Sequence, residues 1–119
     1  MAHLAVSVVH GAAHQGAAVP LSPAATLFVF VVILAGPLVG LGVSWWAERA
    51  GGWILAATLG GSLLFGLVNH FAMAGPDQVS HVDAAWRPLF GATALLLAVT
   101  EALGVWLAVR LLRSRRALA

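Results

Sequence analysis

Charged residues are absent from most of this chain, and the apolar positions gather into three long runs. They extend from Ala24 to Trp46, from Trp53 to Met73 and from Leu89 to Val109. A helix needs about 20 residues to cross a hydrocarbon core of roughly 30 Å, and each run is long enough. The first two hold no charged residue, and the third holds one, Glu101. Between the runs lie residues 47–52 and 74–88, the latter marked as a loop by Gly75-Pro76-Asp77. Connections this short make neighbouring helices antiparallel. The pattern predicts an all-α, polytopic integral membrane protein with three transmembrane helices in residues 24–112. A short external N-terminal amphipathic segment (1–23) precedes them and a basic tail (113–119) follows.

The leading segment is apolar enough to resemble a signal peptide, but it has no basic start, and His3, His10 and His14 interrupt it. It is therefore expected to be retained. Few helix breakers other than Gly11 fall between Met1 and His14, so a short interfacial helix is expected before the turn at Pro20 and Pro23.

Composition sharpens this picture. Of 119 residues, 61% are hydrophobic and 8% charged, against roughly 25% charged in an ordinary soluble domain. Ten charged side chains cannot clothe a soluble globule of this size. Without cysteine there is no disulfide framework, thiolate metal site, iron–sulfur cluster or cysteine nucleophile. All six basic residues are arginines. Arg49 lies in the first loop and Arg110, Arg113, Arg115 and Arg116 lie at or beyond the last span, against Arg87 alone in the second loop. Basic residues are retained on the cytoplasmic side, which places the N-terminus outside and the C-terminus inside. Trp45, Trp46, Trp53, Trp86 and Trp106 all fall near a span boundary, where indole prefers to sit. The absence of lysine beside abundant Ala, Gly and Arg suggests a GC-rich bacterial genome, hence the bacterial cell membrane. The basic tail has no interleaved aromatics and suits anionic headgroups; no nucleic-acid partner is expected.

In this topology every histidine is external: His3, His10 and His14 in the leader, His70 near the outer end of the second span, and His81 in the second loop. On a helix advancing ~100° per residue, positions 3, 10 and 14 share a sector of roughly 40°. His10 and His14 have the i, i+4 spacing at which two imidazoles can grip one ion, though the Glu of H-E-x-x-H is missing. His70 or His81 could complete the set, with Asp77 or Asp83 orienting a ring from behind. Such donors suit zinc, copper(II), iron or nickel, and disfavour magnesium and calcium. Haem b held by two imidazoles is the alternative cofactor, and a cluster of histidines also suits pH sensing.

Glu101 lies twelve residues into its span, slightly past the midplane of a ~30 Å core. A charge there costs about 2.5–3.5 kcal/mol, so the side chain is expected to face protein or water. The same depth on the other spans holds Gly36-Pro37 and Gly60-Gly61-Ser62. Pro37 frees the carbonyl of Ile33, and Ser62 or Thr58 can hydrogen-bond to Glu101, forming either an interhelical lock or a proton or cation site. Gly36, Gly40, Gly60, Gly61 and Gly66 are candidates for close helix packing. Ser62, Gly66 and His70 trace a narrow polar track along one helix face. His70 and Glu101 differ in depth by ~13 Å, so they would serve as successive stations.

No nucleophile triad, carboxylate pair, phosphate loop or dinucleotide fingerprint is present, and activity as an independent enzyme is not expected. The leading expectation is a small membrane protein that binds a transition-metal ion through external histidines, with Glu101 as a buried protonatable site, acting in metal handling or transport. Three spans enclose little volume, so a homo-oligomer or larger membrane complex is expected in the bilayer. The alternatives are an accessory subunit of a respiratory, photosynthetic or other bioenergetic complex and a pH-gated proton path.

Overall fold

The computed structural model describes residues 2–116, with side chains through Ser114; the remainder of the basic tail lies outside the described residues. There are four principal helices and no strand among the described residues. Helix α1 is Ala2–Gly16, α2 Pro23–Ser44, α3 Glu48–Ala72 and α4 Arg87–Arg116. A single 3₁₀ turn, Val79–His81, lies in the α3–α4 loop. Helices α2, α3 and the Arg87–Ser114 part of α4 are each long and apolar enough to cross a membrane. The molecule is 53 Å long and 22 Å across. Its surface carries Leu27, Phe30, Leu64 and Leu95, each more than half exposed, as expected of a bundle built for an apolar surround.

Local sequence accounts for the ends and irregularities of these helices. The Ser22 hydroxyl accepts from the Ala25 N–H, capping α2 ahead of Pro23, which needs no hydrogen bond at a first turn. Pro37 has no N–H to offer Ile33, and the preceding turn widens into a π-helix over Val29–Ala35. A second π segment, Val68–Ala72, ends α3 and contains His70. Helices α2 and α3 meet through small residues. A Cβ on Gly36 would lie 2.5 Å from the Thr58 methyl, and one on Gly40 would lie 2.8 Å from Leu55 Cγ. Gly60, Gly61 and Gly66 do not share this role, because a Cβ on each would make only ordinary contacts, at 3.6 Å or more.

Helix α1 departs from the surface position expected of an interfacial helix. It packs antiparallel along the first half of α4 and touches the middle of α2. His3 faces Glu101, His10 faces Thr93, and Gly16 lies under the Trp86 ring. The reason is chemical. The three histidines of α1 share one face, and α3, α4 and the following loop present the polar groups that can satisfy them away from water. Ala13, Val82 and Phe90, all essentially buried, form the small apolar core of this junction. Since α1 spans only about 22 Å at 1.5 Å per residue, it covers half of the bundle.

Candidate metal centre

Three elements converge at the end of the bundle where α1 meets the α3–α4 loop. His10 and His14, one turn apart on α1, meet His70 from the widened end of α3. All three are buried, with 6%, 9% and 5% of their surfaces exposed. One ligand nitrogen from each lies within 4.8 Å of the other two, close enough to hold a metal ion. Phe90 closes the site on its apolar side, with ring centroids 4.8 Å from His10 and His14 and 5.3 Å from His70.

The surrounding hydrogen bonds decide which nitrogens are bare. Thr93 Oγ1 donates its single proton to the Leu89 carbonyl at 2.7 Å, so it must accept from His10 Nδ1 at 2.8 Å. His70 Nδ1 donates to the Asp77 carbonyl at 3.1 Å and lies equally close to the Asp77 carboxylate. His14 Nε2 lies 3.2 Å from Asp77 Oδ1, which can only accept, while His14 Nδ1 is buried without a partner. His10 and His70 thus turn their Nδ1 protons outward and bring their Nε2 atoms face to face, and His14 adds one ring nitrogen to the group. The two Nε2 atoms stand 3.2 Å apart. Two nitrogens facing at that distance need a proton or a metal ion between them. A tetrahedral ion with bonds of about 2.0–2.1 Å gives donor–donor edges of roughly 3.3 Å, which the His10–His70 pair matches, while the whole group spreads to 4.8 Å.

Electrostatics favour neutral rings on α1. Burial, reinforced by neighbouring His70 and His14, pushes His10 down to about 3, and burial lowers His14 against the pull of Asp77. Burial alone would raise Asp77, but its hydrogen bond with His70 and the nearby imidazoles hold it below the usual carboxylate range. Near neutral pH the rings on α1 are thus deprotonated, as ligands must be, and Asp77 stays anionic behind them. The loop that carries Asp77 is braced at both ends. Gln78 N–H closes a turn onto the Gly75 carbonyl at 3.2 Å, with Pro76 at the corner. Arg87 donates twice to the Val82 carbonyl, at 2.9 and 3.1 Å.

Not every candidate residue joins the cluster. His81 is exposed and donates from Nδ1 to the Gly75 carbonyl at 2.8 Å, so it braces the loop. Asp83 accepts from Ala85 N–H in a local turn away from the histidines. His3 lies half the bundle away, with Nε2 3.2 Å from the Ile33 carbonyl and Nδ1 3.7 Å from Glu101. Pro37 therefore does release a carbonyl, and His3 is the group that takes it. Ser62 donates to Glu101, but Thr58 donates to Ile54 and Leu55 of its own helix and stays out of this pair. The sequence reading overlooked Thr93, which fixes the His10 tautomer, and Phe90, which seals the rings; a lone Thr or Phe within an apolar run carries no distinguishing signal.

A cavity of about 90 Å³ runs inward from the cluster, between His10, His14, His70 and Asp77 at one end and Ser62 and Glu101 at the other. Gly66 lies on its wall, so the track of Ser62, Gly66 and His70 opens onto a real space. No family model, curated protein or solved structure matches this chain, and its functional reading rests on the chemistry of this site.

Proposed function

We propose that this chain is a membrane-spanning protein that binds a transition-metal ion of the zinc, copper or iron class through His10, His14 and His70, in the service of metal handling or transport. The supporting observation is the set of three buried imidazoles, each offering a nitrogen within 4.8 Å of the others and each oriented by a second hydrogen-bonding or ionic partner. Three nitrogen donors also leave a coordination position for an incoming or departing ligand, and the cavity supplies space beside it. By the count of arginines the metal end faces outward and the opposite end faces the cytoplasm. The bilayer and further copies or subunits around the apolar surface complete the proposed setting.

The test is metal analysis of the full-length chain purified in detergent after dialysis against zinc(II) and, separately, copper(II). The wild-type chain is expected to retain metal, and His10→Ala, His14→Ala and His70→Ala are each expected to weaken binding by more than ~100-fold, beyond the range typical of orienting partners. Undiminished binding in all three variants would falsify the assignment.

A further inference from the structure

At the inner end of the cavity a second pair of buried groups faces one another. His3 Nε2 lies 3.2 Å from the Ile33 carbonyl, an acceptor only, so the ring proton is on Nε2 and Nδ1 presents a lone pair. That Nδ1 is buried without a hydrogen-bond partner, 3.7 Å from Glu101 Oε1. Ser62, 2% exposed, donates its hydroxyl to the same carboxylate oxygen. The nitrogen and the carboxylate thus offer electron pairs toward the same small space. No Arg or Lys lines the cavity, whose formally charged groups are Asp77 and Glu101. Asp77 is partnered by His14 and His70, whereas the buried Glu101 carboxyl has no basic side chain on the cavity wall and needs a proton or a metal ion.

The spacing leaves room for an ion between the two groups. A proton shared by imidazole and carboxylate draws the atoms to hydrogen-bond distance, about 2.7–3.2 Å. At 3.7 Å the pair is wider than that, and a small inward movement of either side chain would bring it to the roughly 3.3 Å edge of a tetrahedral site with bonds of 2.0–2.1 Å. Imidazole nitrogen, carboxylate and hydroxyl oxygen together form a donor set for the same borderline metals as the histidine cluster. The position of the pair is informative too. Glu101 and Ser62 line the cavity beneath the histidine cluster, whereas His3 lines a separate apolar groove, of about 460 Å³, on its other side. His3 and Glu101 therefore form the partition at which the polar path ends.

We propose that His3 Nδ1, the Glu101 carboxylate and the Ser62 hydroxyl form a second metal station, reached from the histidine cluster through the cavity. This inference rests on the reading of the upper cluster as a metal site. The connecting space has room for several water molecules, so an ion passing inward keeps part of its hydration. Beyond the partition the walls are mainly leucines, among them Leu38, Leu41, Leu103 and Leu107, and the Thr100 hydroxyl there is already bonded to the Leu97 carbonyl, so the inner station holds the ion instead of passing it on within one chain.

Zinc stoichiometry of the full-length protein in detergent tests the idea, with helix content and solution mass confirming each variant. The wild-type chain should carry two ions. Glu101→Gln and His3→Gln should each carry one, since both keep a polar side chain of similar reach; the second variant decides the matter if the first does not fold. His14→Ala should lose the other ion, and the combination of His14→Ala with Glu101→Gln should lose both. Two ions in both Glu101→Gln and His3→Gln, or a single wild-type ion that is sensitive to His14 alone, would overturn the inner station and leave the histidine centre standing. A single ion sensitive to Glu101 and His3 but not to His14 would support the inner station and overturn the histidine centre. A wild-type chain with no ion overturns both.

Discussion

The two halves of this bundle are built from the same apolar helices, yet only one of them contains chemistry. At the histidine end four helices meet, because α1 fills the seam beside α4, and Phe90, Val82 and Ala13 are essentially inaccessible. At the arginine end the seam between α2 and α4 is open as an apolar groove, and Leu103, Leu107 and Leu111 are each more than half exposed. The contrast shows what the fourth helix contributes. Three long helices can satisfy their own backbones, but an apolar surround gives polar side chains no partners. The short helix brings three imidazoles, and the half of the bundle that it covers is the half that can bury Glu101, Thr93, Ser62 and His70.

Core truncation should separate the halves most sharply. Phe90 is 0% exposed and touches all three clustered rings, so Phe90→Ala leaves a cavity at the α1–α4 junction and should cost about 3 kcal/mol. Leu103→Ala, at a side chain 55% exposed, should cost under about 0.5 kcal/mol. Thermal unfolding in detergent measures both. Equal costs would mean that α1 is not packed against the bundle as described.

Acid should act on the same half. His10 ordinarily takes a proton near 6.5 but does so only near 3 when buried beside His70 and His14. It is therefore neutral while α1 is docked and charged once exposed, so protons favour undocking. Its contribution to stability is complete above about pH 6.5 and is lost progressively as pH falls toward 3. His14 and His3, both lowered by burial, act in the same direction. Asp77 adds to the loss only at the acid extreme, because its pKa is already depressed below 3.8. Unfolding temperatures of the metal-free protein between pH 7.5 and 4 should fall, and should fall less in His10→Ala; an identical profile in that variant would show that His10 does not carry the acid sensitivity.

Asp77→Asn should have a more local effect. The amide keeps the shape of the side chain but loses the negative charge behind His14 and His70, and metal affinity should fall about 10–100-fold with little change in stability. A titration showing unchanged affinity would remove Asp77 from the site.

Much of this contrast was legible in the sequence, but unevenly. The three long helices follow from uninterrupted apolar runs, which leave a chain few other options. The shared face of His3, His10 and His14 follows from helical period, and the depth match of Ser62 and Glu101 from counting residues. The docking of α1 was not legible, because an apolar helix with polar punctuation serves equally well at an interface or inside a bundle. Its partners are single residues, Thr93 and Asp77, in two different elements. The division of labour among histidines was equally hidden: His81 braces a loop and His3 meets a carbonyl that Pro37 releases, assignments that depend on three-dimensional placement. The π segment at His70 was not legible, although helical counting already aligned His70 with Ser62 and Gly66, and all three line the cavity.

The smallest expected effect lies in the turn that fixes α1 against α2. Ala18 has φ of 52°, in the left-handed region that disfavours side chains, and it is the one non-glycine residue described there. The conformation is enforced by its neighbours: Ala17 N–H reaches the Ala13 carbonyl at 2.9 Å, and Val19 N–H reaches the His14 carbonyl at 3.0 Å, as in helix ends closed by a left-handed residue. Glycine would adopt this geometry without steric cost, at the expense of greater freedom in the unfolded chain. The steric term is the larger, about 1–2 kcal/mol, so Ala18→Gly should stabilise the histidine end by roughly 0.5–1 kcal/mol. Because Val19 holds the backbone of His14, a firmer turn should also tighten metal binding slightly. A lower unfolding temperature for Ala18→Gly would mean that the chain does not make this turn, and that α1 reaches the bundle by another route.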